Sequence, residues 1–184
     1  MSDPEAIRAQ IGRPLRGEVV GMAHCALGLP RVARVPPLLE TGEPFPTRYW
    51  LCCPLARRRV SRLEAEGGVR EAERRLAEDP ELEARMARAH RDYAVERDAG
   101  VPAEAELRPR GGVAGLEAGV KCLHAHLAHH LAGGDNPIGA ETAARIQPLE
   151  CERSCVLPAE AASSSPARRD PAWREPPLPE PGPL

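Results

Sequence analysis

A chain of 184 residues is long enough for one domain with extensions, and its 42% of apolar residues can furnish a core. A net charge of −2, with 28% charged residues, gives no electrostatic pull toward nucleic acid or an anionic membrane. Only 3% of residues are aromatic and 21 are proline, so Leu, Val and Ala must fill the core and much of the chain must be loop or tail.

The opening MSDPEAIRAQIGR has no apolar segment of the signal-peptide kind. No run approaches the roughly 20 apolar residues needed to span a bilayer. A cytoplasmic location follows by default, and there six cysteines are expected as free thiols, metal ligands or redox groups rather than disulfides. Ser2 or Asp3 before Pro4-Glu5 predicts a short first helix, which Gly12 ends. Three short strands follow at Gly17 to Ala23, Leu29 to Val35 and Thr47 to Leu51, separated by turn residues, and predict a small antiparallel sheet. Pro54 switches the pattern to helix, Gly67-Gly68 breaks it, a second helix runs from about Val69 to Ala77, and Asp79-Pro80-Glu81 starts a third. Opposite charges one turn apart, such as Glu71 and Arg75, predict solvated helix faces. After a Pro/Gly loop over 99–112, Leu116, Val120, Leu123, Leu127 and Leu131 form one stripe and predict a helix from about Leu116 to Leu131. Ala140 to Ile146 reads as a last short helix. From Pro158 the serine and proline content, without apolar periodicity, predicts a disordered tail. The organisation is thus an N-terminal helix at 1–12, a single α+β domain at 13–157 and a Pro-rich tail at 158–184. The sheet of about three strands precedes a packed set of helices.

The chemistry-bearing residues are cysteines and histidines. Cys53 stands before Pro54 at a helix N-cap, where the helix dipole and Arg57 favour a thiolate. Cys52 points the other way if the strand persists and is incidental. On the stretch Lys121 to His130, Cys122, His126 and His130 are spaced at i, i+4 and i+8, and His126 neighbours His129. Histidines at a helix C-terminus are also commonly just exposed. His24-Cys25 ends the first strand, and Cys151 with Cys155 forms a CxxxC before the tail. There are no paired CxxC knuckles and no CxxCxxC run, so any metal site must be assembled from distant segments. The phosphate-binding P-loop, the dinucleotide GxGxxG after a strand and the GxSxG elbow are absent, as is a basic patch with interleaved aromatics.

Several stretches together carry a resemblance. They are Arg13-Pro14, Cys25 with Gly28-Leu29-Pro30, Gly42-Glu43-Pro44-Phe45-Pro46-Thr47, Cys53-Pro54, Ser61-Arg62-Leu63-Glu64, Asp79-Pro80-Glu81-Leu82, Ala89-His90 with Tyr93, Lys121-Cys122-Leu123-His124, Ala128-His129 and Asn136-Pro137. From about Gly12 to Gly139 the chain resembles a bacterial family catalogued as domain of unknown function 501, common in actinobacteria. The family has no established activity. Its genes often lie near exopolyphosphatase and a small septum-formation protein. The resemblance singles out Cys25, Cys53, Cys122, His124 and His129, with Cys155 less sharply, and passes over Cys52, Cys151, His126 and His130.

Three readings follow. In the first, Cys25, Cys53, Cys122 and one of His124, His129 or Cys155 bind zinc, or an iron–sulfur cluster if all ligands are thiolates. In the second, the chain is a non-catalytic interaction or regulatory module for another protein, linked by gene neighbourhood to polyphosphate metabolism or septum formation, and its cysteines are buried hydrophobes. In the third, Cys53 is the nucleophile of a thiol enzyme, with His124 or His129 as base. Neither nucleic acid nor membrane is expected as a partner.

Overall fold

The computed structural model describes residues 1–159 and 166–177. Helix α1 (Asp3–Ile11) begins where Ser2 donates its backbone N–H to the Glu5 carboxylate at 2.7 Å, and Gly12 closes it at φ 72°, a backbone that favours glycine. Strands β1 (Val20–His24), β2 (Pro30–Arg34) and β3 (Tyr49–Leu51) pair antiparallel in the order β1-β2-β3, with Val32 opposite both Met22 and Leu51. Strand period two then sorts the side chains. Val32, Tyr49 and Leu51 face the main core, while Ala33, Val35 and the following Cys52 join Ile7 and Val19 in a smaller cluster.

The helices pack over the main core: α2 (Pro54–Ala65), α3 (Gly68–Glu78), α4 (Pro80–Asp98), α5 (Leu123–Leu131) and α6 (Pro137–Ile146). Proline opens α2, α4 and α6, where a missing N–H costs nothing. Asp79 caps α4 by accepting from the N–H groups of Glu81 and Leu82, and Asn136 caps α6 by accepting from Gly139. The α+β architecture, the three-stranded antiparallel sheet and the helix order agree with the sequence reading. Among the described residues, no helix is long and apolar enough to cross a membrane.

Two expectations change. The helix expected from Leu116 begins only at Leu123. Val113–Gly115 makes a single 3₁₀ turn, and Gly119 sits at φ 79°, outside helical space. The backbone there is taken up by tertiary partners instead: the Gly119 carbonyl accepts from His90 Nε2 at 3.0 Å, and the Val120 N–H donates to Glu73. Val120 still buries, so the apolar stripe is real but only its second half is helical.

The tail expected over 158–184 lies partly outside the described residues. Its described part, 166–177, is packed on the domain, so the ordered fold extends past Leu157. Strand β5 (Arg168–Arg169) pairs antiparallel with β4 (Val156–Leu157), and Ala167 and Trp173 enter the main core. One tryptophan supplies apolar area that the rest of this stretch lacks.

Helices α5 and α6 cross closely at Gly139. A Cβ there would stand against the His126 carbonyl oxygen and the His130 side chain. Gly139→Ala is therefore expected to cost about 1–3 kcal/mol by overpacking, read from the midpoint of urea unfolding. An unchanged midpoint would mean that the helices separate freely.

Candidate functional site

All six cysteines are free. Four of them, Cys25, Cys53, Cys151 and Cys155, line one narrow cavity of about 20 Å³ between the β1–β2 turn, the start of α2 and the segment after α6. Cys25 sits where the turn closes, its N–H donating to Leu29 O at 2.8 Å. Cys53 is the N-cap residue of α2, as expected. Burial pushes its thiol up, opposed by the N–H groups of Ala56 and Leu55, and raised further by the charges of Cys151 and Cys25. Burial also raises Cys151, while the nearby Trp173 indole holds it down. The Cys155 thiol is pushed up to about 11, first by burial, against a hydrogen bond from Gln10, with Cys53 and Cys151 adding to the rise. Cys53, Cys151 and Cys155 therefore each feel others of the set.

The wall of this cavity holds polar atoms without partners. Gln10 Oε1, Arg31 Nε and Trp173 Nε1 are buried and make no hydrogen bond within ordinary geometry, and all three residues line the cavity. Orphaned buried groups of this kind are uncommon. Gln10 Nε2 is satisfied, donating to Pro30 O at 3.1 Å and lying 3.8 Å from Cys155 Sγ. Among the described residues, no group of three or more His, Cys, Asp or Glu side chains already stands in metal-binding geometry.

The other expected ligands lie elsewhere. Cys122 and His124 line a second, open cavity of about 520 Å³, together with Arg13, Arg57, Lys121, Tyr49 and Trp50. His124 is oriented by Glu64 on α2, whose Oε1 is 3.0 Å from its Nδ1 and also accepts the Leu123 N–H at 2.6 Å. Its Nε2 faces Ser61 Oγ at 3.4 Å. Burial raises the Cys122 thiol.

His129 belongs to a third group inside the α4–α5–α6 contact. Asn136, already committed through Oδ1 to capping α6, directs Nδ2 at His126 Nδ1 (3.1 Å) and His129 Nδ1 (3.2 Å). The His129 ring stacks on Tyr49 and meets the edge of Tyr93, with centroids 6.0 and 5.1 Å away. This is a packed structural histidine pair. Cys53 shares neither a cavity nor a hydrogen bond with His124 or His129, and its raised thiol is the opposite of an activated nucleophile.

Of the six expected site residues, the structure thus brings together Cys25, Cys53 and Cys155, and separates Cys122, His124 and His129 from them. Cys151 was passed over, although its CxxxC spacing with Cys155 was the available signal. Cys52 lies on the opposite side of the sheet, its Sγ donating to Pro30 O at 3.2 Å.

No curated protein and no solved structure matches the chain. A family model described as "Protein of unknown function (DUF501)" matches residues 21–144, more than half of the chain. That span holds Cys25, Cys53, Cys122 and all six histidines, and ends before Cys151. The chain belongs to the DUF501 family.

Proposed function

We propose that this chain is a metal-binding protein in which Cys25, Cys53, Cys151 and Cys155 hold one zinc ion as thiolates. The observation that carries the reading is that four cysteines from three separate segments line a single cavity. Four thiolates are a complete tetrahedral set, so the role is structural rather than catalytic. The volume, about 20 Å³, is room for roughly one water molecule and suits a single ion better than a cluster. The unpartnered Trp173 and Arg31 N–H groups would serve as donors to the thiolates, as hydrogen bonds around metal-bound sulfur commonly do. Zinc would require the four sulfurs to close on it to ~2.3 Å. The ion would join the β1–β2 turn, α2 and the C-terminal segment, adding to the Arg59 hydrogen bonds that already tie α2 to that segment.

The test is elemental analysis of untagged chain purified without oxygen. The expected result is about one equivalent of zinc, lost in Cys151→Ser and Cys155→Ser and retained in Cys122→Ser. A folded, colourless and metal-free wild type would sink the proposal and leave the interaction-module reading. A brown protein with iron and sulfide would replace zinc by a cluster.

A further inference from the structure

We infer that the second cavity is a binding site for a phosphorylated small molecule. Three cationic side chains line it: Arg13 after α1, Arg57 on α2 and Lys121 before α5. His124 adds a polar nitrogen, and no carboxylate is among the lining residues. Among the described residues, neither Arg57 nor Lys121 has an ion-pair partner. Other cations of the helices are neutralised by neighbours, as Arg74 is by Glu71 and Glu78. A concavity lined by three cations and no carboxylate, with Glu64 behind it already engaged by His124 and the Leu123 N–H, selects a multiply charged anion.

The site does not rest on a helix terminus. Glu64 already accepts the first N–H groups of α5, from Leu123 and His124. The same carboxylate takes His124 Nδ1, which leaves Nε2 as the nitrogen facing Ser61 Oγ. Arg13 is held in place by stacking 4.2 Å over the Trp50 ring, so one guanidinium is positioned before any ligand arrives. Guanidinium forks match phosphoryl oxygens, and Lys121 supplies a point charge.

The volume gives the rest of the ligand. About 520 Å³ is far more than one phosphate needs and lies in the range of small-molecule pockets. Tyr49, Trp50, Leu51 and Ile11 line it as well, so an organic phosphate carrying a flat or apolar group fits this lining.

The site and the thiol cavity share no lining residue, so the two proposals stand separately. Calorimetric titration of the full chain with inorganic pyrophosphate, at low salt, tests it. Binding should saturate with a single site, and Arg57→Gln and Lys121→Gln should each raise Kd about tenfold or more. Both residues are exposed, so these variants should fold. Arg74→Gln on α3, outside the lining of the cavity, and Cys151→Ser should leave Kd unchanged, and the slope of log Kd against log salt should fall by about one in each pocket variant. Equal affinity in all variants would overturn the proposal, as would no heat at millimolar pyrophosphate. Citrate binding as tightly as pyrophosphate would overturn the phosphate assignment.

Discussion

Trp173→Ala should cost the chain about 3–5 kcal/mol of stability, a loss typical of a buried tryptophan. The residue lies beyond Pro158, in a stretch whose composition reads as tail, yet it is only 4% exposed and belongs to the main core. Arg58 and Arg169 sit over its ring at 5.1 and 5.5 Å. The segment around it is pinned by Arg59, which is itself buried. Arg59 donates to Ile146 O at 2.9 Å, to Pro148 O and to Pro176 O at 3.1 Å, joining α2 to the chain on either side of the cysteines. Asp170 closes the turn before Trp173, accepting the Ala172 N–H at 2.8 Å and Arg153 Nε at 2.7 Å. Urea unfolding measures the loss. A second readout is the rate at which Cys151 and Cys155 react with a thiol reagent, which should rise because the indole covers their cavity. A loss under about 1 kcal/mol, with unchanged thiol reactivity, would mean that the segment rests on the domain without supporting it.

Stability should fall by roughly 2–4 kcal/mol between pH 7.5 and pH 5, from the buried histidine pair. Burial, with the neighbouring His90, depresses His126 to about 3. Burial depresses His129 to about 4, against the attraction of Glu96 and Asp92. Both folded values lie below the ~6.5 of an unfolded histidine, so the unfolded chain binds more protons in this range. Stability is therefore fully present above pH ~6.5 and is lost as the pH falls toward the folded values. The carboxylates that gain from their ion pairs, Glu175 and Asp170 among them, have lowered values and release their stabilisation only at more acid pH. His90 is also held neutral by burial, accepting from the Val113 N–H through Nδ1. The midpoint of urea unfolding at the two pH values decides it, and His129→Gln should shrink the difference. Equal midpoints would show that the pair is solvated in the folded chain.

Local signals in the sequence were read correctly where local physics decides the outcome. Helix starts at Pro54 and Asp79-Pro80 depend on capping and on the proline ring, which act within a few residues, whereas the last helix, expected from Ala140, begins at Pro137 because Asn136 caps it. The strands of the sheet follow from side-chain shape and turn residues, and the placement of Cys53 and Cys52 on opposite faces follows from period two. The Leu116 stripe misled because burial periodicity persists through irregular backbone. Val120 faces the core whether or not a helix carries it, and Gly119 with Glu73 and His90 decided against the helix.

By itself, then, the sequence determined the element order, the α+β class and the residue types from which a site could be made. Tertiary structure alone decided which of those residues meet. Cys25, Cys53, Cys151 and Cys155 are brought to one cavity from three segments, and Arg13, Arg57 and Lys121 converge from three stretches far apart in the sequence. The physical reason is range. Capping and periodicity act over one turn or one strand pair, whereas the convergence of side chains far apart in the chain depends on packing of whole elements, and is set by the sum of many small burial terms rather than by any spacing.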